Sequence, residues 1–124
     1  LQAMEHIARE APGWGGDPER ICLLGHSAGA AHVAEALVRA QSPGGRLPWA
    51  ATMLLSGIYA LEQVAPTPGR AAYYGTDRSL WQARGAALRI GPLCAPLCVL
   101  SSEREPEEFA RQAALLCEQD GGTA

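Results

Sequence analysis

The sequence contains no uninterrupted apolar run that approaches the length of a membrane span, and its amino terminus has no charged segment followed by an apolar one. A spanning helix needs about 20 consecutive apolar residues, and a secretory signal peptide needs that charged-then-apolar pattern. Positive charge is not in excess either, because 10 Lys and Arg residues stand against 13 Asp and Glu residues, for a net charge of −3. Nucleic-acid-binding domains are instead basic. The composition therefore argues against membrane and nucleic-acid partners and favours a cytoplasmic protein.

Cysteine is also sparse, at four residues in 124: Cys22, Cys94, Cys98 and Cys117. They do not form paired C-x-x-C motifs, which are the usual ligand spacing of a structural zinc site. The sequence therefore predicts no metal site. Cys22 and Cys98 fall within apolar runs, which predicts that both are small buried hydrophobic residues.

Helix-like and strand-like segments alternate along the chain. Helical spacing of apolar residues predicts helices at residues 1–11, 28–41 and 106–119. Short apolar runs predict strands at residues 21–24, 50–55 and 96–101. Residues 58–93 are rich in Gly and Pro and are predicted to be irregular. Tyr73, Tyr74 and Trp81 in this segment are expected to cover the sheet, and lining a pocket for the acyl or alcohol group is the alternative.

This alternation predicts an α/β fold with a parallel sheet of about three strands flanked by helices. The run at residues 21–24 is continuously apolar, which is typical of a strand in a sheet covered on both faces. Three strands are few for this class, and each outer strand would leave a bare edge. We therefore expect residues 1–124 to form one partial domain that self-associates through its exposed sheet edges.

The most informative motif is G-H-S-A-G at residues 25–29, which lies between a strand-like run and a helix-like run. This is the setting of a G-x-S-x-G nucleophile elbow, in which a strand turns sharply into a helix and exposes the serine hydroxyl. Glycines on both sides of Ser27 are expected to avoid clashes in that turn. The N–H of Ala28 would then face an oxyanion that develops on a substrate carbonyl.

Several stretches together resemble the α/β-hydrolase superfamily, and within it the carboxylesterases and lipases. They are G-G-D-P-E-R-I at 15–21, the elbow at 25–29, L-S-G-I-Y at 55–59, Y-Y-G at 73–75 and S-E-R-E-P at 102–106. The resemblance covers nearly the whole chain and implies a partial α/β-hydrolase fold. It further implies hydrolysis of a small-molecule ester through an acyl-enzyme on Ser27, with no metal or organic cofactor.

The same resemblance assigns Ala28 as an oxyanion-hole donor and Glu105 as the acid of the catalytic triad. Family members usually have Asp where this chain has Glu105, and glutamate is an accepted acid in this fold. Glu103 is the nearby alternative. A His-Gly-Gly type stretch, which supplies a second oxyanion donor upstream of the elbow in the family, is not found in the 124 residues.

The triad in this fold follows the order Ser, acid, His. The three histidines are His6, His26 and His32, and none of them follows Glu105. His26 adjoins the serine and His32 lies more than one helical turn beyond it, so neither is well placed as the base. We therefore expect the chain to lack the downstream segment that carries the catalytic histidine, and to have weak or no activity by itself.

Two other functions are compatible with the sequence. The elbow and the L-S-G-I-Y stretch are similar in arylformamidases, and ester and small-amide hydrolysis use the same oxyanion chemistry. A non-catalytic relative that keeps the fold for binding is the other alternative, supported by the missing base and by the Glu-for-Asp change.

Overall fold

A computed structural model describes residues 2–41, 49–91, 93 and 95–120. Within these ranges, three strands form a sheet in the order β1-β2-β3: β1 (Cys22–His26), β2 (Ala51–Leu55) and β3 (Leu97–Leu100). Both neighbouring pairs are parallel, with Leu54 opposite Gly25 on one side and Val99 on the other. The predicted α/β class and the three-stranded parallel sheet are confirmed.

Five α-helices accompany the sheet within the same ranges: α1 (Gln2–Glu10), α2 (Ala28–Ala40), α3 (Pro68–Tyr74), α4 (Arg78–Arg84) and α5 (Glu107–Asp120). Of these, α1, α2 and α5 lie where helices were predicted. None of the five combines the length and the apolar character that crossing a bilayer requires.

The prediction that residues 58–93 are irregular was wrong, because α3 and α4 lie there. Each begins at a side chain that caps its first turn: Thr67 accepts a hydrogen bond from the Arg70 N–H, and Asp77 accepts one from the Ser79 N–H. Each is followed directly by a glycine, Gly75 or Gly85. Such caps stabilise even a seven-residue helix.

The core lies between the sheet and the helices on one of its faces. On α2, Ala30, Ala34 and Leu37 are fully buried, and the two small side chains allow the helix to approach β1 closely. Leu54 at the centre of the sheet and Leu116 on α5 belong to the same apolar cluster. Their burial removes apolar surface from water, which is the main stabilising contribution to folding.

The opposite face of the sheet is open within the described residues, so the prediction that both faces are covered was wrong. Leu24 is 63% exposed, and its neighbours across the sheet are Met53 and then Cys98. Cys22 and Cys98 are both exposed, which corrects the prediction that they are buried. Side chains alternate between the two faces along a strand, so an apolar run places part of its side chains on this face. Cys94 lies outside the described residues.

Candidate active site

The carboxyl ends of the three parallel strands place three polar segments at one edge of the sheet. Ser27 follows β1 directly, Ser56 follows β2, and the loop that carries Glu105 follows β3. Neighbouring strands lie about 4.8 Å apart, so β1 and β3 are separated by about 10 Å. Ligands of α/β proteins bind at this edge of the sheet.

Ser27 occupies the sharp turn between β1 and α2. Its backbone has φ 54° and ψ −122°, a region that residues other than glycine rarely adopt. Backbone hydrogen bonds hold the turn: the Ser27 N–H donates to the Leu55 carbonyl at 2.9 Å, and the Ser27 carbonyl accepts from the N–H groups of Ala30 at 3.0 Å and Ala31 at 3.4 Å. The residue is exposed. The strand–turn–helix setting predicted from the motif is therefore present.

The two glycines of the motif differ in their importance for this turn. A Cβ atom at Gly25 would lie 2.7 Å from the Ala30 Cα and 2.7 Å from the Gly29 carbonyl oxygen, so no side chain fits there. A Cβ at Gly29 would meet no described atom within 4 Å. The expectation of a steric need for glycine is thus confirmed at Gly25 and wrong at Gly29, whose Cβ position points away from the turn.

Ala28 is the first residue of α2. The N–H groups of the first turn of a helix have no intrahelical acceptor, and the helix dipole adds partial positive charge there. Ala28 is half-buried and lines the same cleft as Ser27. Its position suits an oxyanion-hole donor.

Ser27 opens onto a cleft of about 200 Å³. Its other lining residues come from the end of β2, from α3 and from α5: Ser56, Ile58, Gly69, Arg70, Tyr73, Tyr74 and Phe109. The two tyrosines therefore lie in the candidate site rather than over the sheet. Trp81 is fully buried in a separate small cluster with Leu61 and Val64. The Y-Y-G stretch was the only sequence signal for the tyrosines.

Glu105 is held by two hydrogen bonds at the carboxyl edge of the sheet. Its Oε2 accepts from the Ser102 N–H at 2.9 Å and from the Ser56 hydroxyl at 2.9 Å. The Ser102 N–H, then the Ser56 hydroxyl and, more weakly, the nearby His26 hold the pKa of Glu105 below its ordinary value. The alternative acid, Glu103, is exposed and has no hydrogen bond or ion pair within the described part of the chain.

Ser56 was not recognised as a site residue from the sequence. It has φ 52°, its N–H donates to the Leu100 carbonyl at 2.8 Å, and its hydroxyl orients Glu105. A serine directly after a buried parallel strand was the available signal. Its partner lies 49 residues further along the chain, so the contact itself could not be read from the sequence.

The three histidines have other neighbours in the structure. His6 on α1 bonds to Arg9, and His32 on α2 bonds through Nε2 to the Tyr73 hydroxyl at 2.6 Å. His26 is exposed at the end of β1 and acts on Glu105 only through its charge. Within the described residues, no hydrogen bond joins any of the three to Ser27 or Glu105. That none of them serves as the base stays a prediction.

Solved structures of several hydrolases are similar to this chain over nearly its whole length. A lipase/esterase from Lactobacillus plantarum is 24% identical, with a TM-score of 0.70 over 98% of this chain and 54% of its own. A carboxylesterase from Lactobacillus plantarum WCFS1 is 22% identical, with a TM-score of 0.70 over 98% of this chain and 48% of its own. A puromycin hydrolase is 15% identical, with a TM-score of 0.52 over 97% of this chain and 25% of its own.

These likenesses establish that the chain has a partial α/β-hydrolase fold of the type found in carboxylesterases and lipases. The chain spans about half the length of the two Lactobacillus proteins. No protein-family model and no curated protein matches it. A shared fold supports many chemistries, so the function has to be argued from the site itself.

Proposed function

We propose that this chain carries the nucleophile and the acid of a serine hydrolase that cleaves carboxylic esters through an acyl-enzyme on Ser27. The observation that carries the proposal is the strained, exposed conformation of Ser27 between β1 and the N-terminus of α2. Strained backbone persists where the surrounding structure imposes it, and it is concentrated at functional sites. The fold shared with a lipase/esterase and a carboxylesterase supports the same reaction class.

In the proposed reaction the Ser27 hydroxyl oxygen attacks the ester carbonyl carbon, and its proton passes to a general base. The carbonyl oxygen becomes an oxyanion that accepts a hydrogen bond from the Ala28 N–H. The tetrahedral intermediate then expels the alcohol, which takes the proton from the base and leaves an acyl group on Ser27. Attack by water releases the carboxylic acid and restores the serine.

Glu105 would orient the base and stabilise its protonated form, as the acid of a triad does. The hydrogen bonds from Ser102 and Ser56 suit this role because they keep Glu105 ionised. The base itself would be a histidine hydrogen-bonded to both Ser27 and Glu105, and within the described residues none of the three histidines has a hydrogen bond to either. We propose that a further segment of a complete enzyme supplies it.

Labelling with a fluorophosphonate tests this assignment in the chain as it exists. A missing triad base costs on the order of 10⁶ in rate, so labelling should be slow. Added imidazole can enter an exposed site and take the serine proton, so it should accelerate the labelling. We expect Ser27→Ala to abolish the reaction and Ser101→Ala, at an exposed serine at the end of β3, to leave it unchanged.

Peptide mass spectrometry then identifies the modified residue. Ser56 is the most demanding comparison because it also has a positive φ and lines the same cleft. A label on Ser56, or no imidazole-dependent label at all, would contradict the proposal.

A further inference from the structure

A second cavity, of about 320 Å³, lies beside the Ser27 cleft. Ile58, Tyr73 and Tyr74 line both spaces and form their shared boundary. The hydrogen bond of 2.6 Å between His32 Nε2 and the Tyr73 hydroxyl fixes part of that boundary. The cavity therefore adjoins the candidate site.

The two spaces follow one another along α2. Ala28 lines the Ser27 cleft, whereas Ala31, Glu35 and Arg39 line the second cavity. A helix rises 1.5 Å per residue, so Glu35 lies about 12 Å beyond Ser27 along the helix axis. The side chains along this path are first apolar and then charged. Such a path fits an alkyl chain that ends in a polar group.

The charged end of the cavity has an excess of guanidinium groups. Among the described residues that line it, Glu35 is the one carboxylate, and it is paired with Arg39 through a bond of 3.0 Å and with Arg89. Partial burial alone would raise the pKa of Glu35, but the hydrogen bonds from Arg89 and Arg39 hold it below its ordinary value. Glu35 is therefore ionised, with both oxygens engaged by arginines.

Hydrogen-bond donors nevertheless remain on two arginines that line the cavity. Arg39 uses its Nε for Glu35, and Arg84 uses Nη1 for the Tyr74 carbonyl at 2.9 Å. Their other guanidinium N–H groups have no partner within the described residues. A guanidinium binds a carboxylate through two parallel hydrogen bonds, so these donors suit an anionic group.

We propose that the second cavity is a subsite for a carboxylate at the far end of the substrate's acyl chain, so that half-esters of medium-length dicarboxylic acids are preferred substrates. This inference rests on the proposed role of Ser27 as the nucleophile. Apolar side chains near Ser27 contact the methylene chain, and Arg39 and Arg84 bind the terminal carboxylate. A neutral chain of the same length would make only the apolar contacts near Ser27.

Two fluorophosphonates test the preference, one with a ten-carbon chain that ends in a carboxylate and one with the methyl ester of that carboxylate. With imidazole present, the measured quantity is the ratio of their labelling rates at Ser27. An exposed ion pair contributes up to about 1 kcal/mol, so we expect the carboxylate probe to react about fivefold faster. Arg39→Gln should bring the ratio close to one.

Arg111→Gln is the matched control. Arg111 and Arg39 have side chains that are 67% and 70% exposed, and each pairs with a glutamate one turn before it on its own helix. Both substitutions remove one positive charge, so a general electrostatic effect would lower the ratio equally in both. An equal ratio in the two variants, or a wild-type ratio of one, overturns the proposal.

Binding of monomethyl sebacate to the Ser27→Ala variant separates failure of the subsite from failure of the nucleophile. We expect NMR shifts at Arg39 and His32 that weaken with salt and are lost in the Arg39→Gln background. If neither probe labels Ser27 but these shifts are present, the proposed function is wrong and the anion site stands. If the shifts are absent, the anion site is wrong whatever the labelling shows.

Discussion

Ser27 and Ser56 both have an unusual positive φ, of 54° and 52°, at the ends of adjacent strands. What differs is the segment that follows each residue. Ser27 precedes the N-terminus of α2, where N–H groups without intrahelical acceptors can stabilise an oxyanion, whereas Ser56 precedes non-helical residues. The Ser56 hydroxyl is also already engaged with Glu105. The helix, rather than the strain alone, marks Ser27 as the candidate nucleophile.

The hydrogen bond from Ser56 leads to a prediction about the pH dependence of Glu105. We expect Ser56→Ala to raise the pKa of Glu105 toward its ordinary value of 4.5, because one of the donors that favour the ionised form is removed. NMR titration of the Glu105 carboxyl carbon measures this directly. Ser101→Ala removes an exposed neighbouring hydroxyl with no bond to Glu105 and should leave the titration unchanged.

The lowered pKa of Glu105 also makes the stability of the fold depend on pH. A carboxyl group whose pKa is lower in the folded protein stabilises the fold above its unfolded-state pKa, and this contribution is lost as the pH falls through the folded value. Wild type should therefore lose stability more steeply below pH 4.5 than Ser56→Ala does. Parallel pH profiles for the two proteins, or an unchanged Glu105 titration in the variant, would refute the assigned role of Ser56.

The sequence predicted the parts of the site that depend on neighbouring residues. Ser27 and Ala28 lie within a five-residue motif that follows a strand, and Glu105 also follows a strand. Because the carboxyl ends of parallel strands meet at one edge of a sheet, the sequence predicts all three residues at that edge. The bond from Ser56 to Glu105 and the placement of Tyr73 beside His32 join residues more than 40 positions apart. Such contacts depend on how the elements pack, which no local pattern encodes.

At the scale of elements, one side chain joins α5 to the segment after β2. Gln112 is 3% exposed, and its Oε1 accepts from the Tyr59 N–H at 2.8 Å and from the Ala60 N–H at 2.7 Å. Its Nε2 donates to the Ala60 carbonyl at 3.3 Å. This segment continues from Ile58, a wall of both cavities, so Gln112 helps to position the site.

We expect Gln112→Ala to lower the free energy of unfolding by about 2 kcal/mol or more, because two buried backbone N–H groups lose their acceptor. Urea denaturation followed by circular dichroism measures the change. Gln119→Ala is the control, since Gln119 lies exposed on the same helix and its loss should change stability by less than about 0.5 kcal/mol. Equal effects of the two substitutions would show that the buried bonds contribute nothing.

The elements that were predicted correctly are those long enough to show a period. α2 and α5 repeat apolar residues over three or more turns, and the strands lie in short, mainly apolar runs. α3 and α4 have seven residues each, too few for a periodic pattern to emerge. Their signals were the capping residues Thr67 and Asp77, which in a segment rich in Gly and Pro are equally typical of turns.

At the scale of the whole molecule, the sheet divides the described structure into a packed side and an open side. The open face carries Leu24, Met53 and Leu100, which are 63%, 38% and 44% exposed. Within the described residues, β1 and β3 each have one edge without a neighbouring strand. The sequences of the strands could not show that one face is open, because a mainly apolar run is compatible with a second face that is covered or open.

Exposed apolar surface and bare strand edges both favour association, so we predict that the chain self-associates with rising concentration. Leu24→Lys distinguishes the two routes, because it places a charge on the open face and leaves the backbone of the β1 edge intact. If the face is the contact, the dissociation constant measured by sedimentation velocity should rise about tenfold or more, equivalent to 1.4 kcal/mol.

Leu88→Lys alters a residue that is 52% exposed outside the strands and should have no such effect. Association that is undiminished in Leu24→Lys would assign the contact to the edges, and a wild-type chain that stays monomeric at all concentrations would contradict both routes.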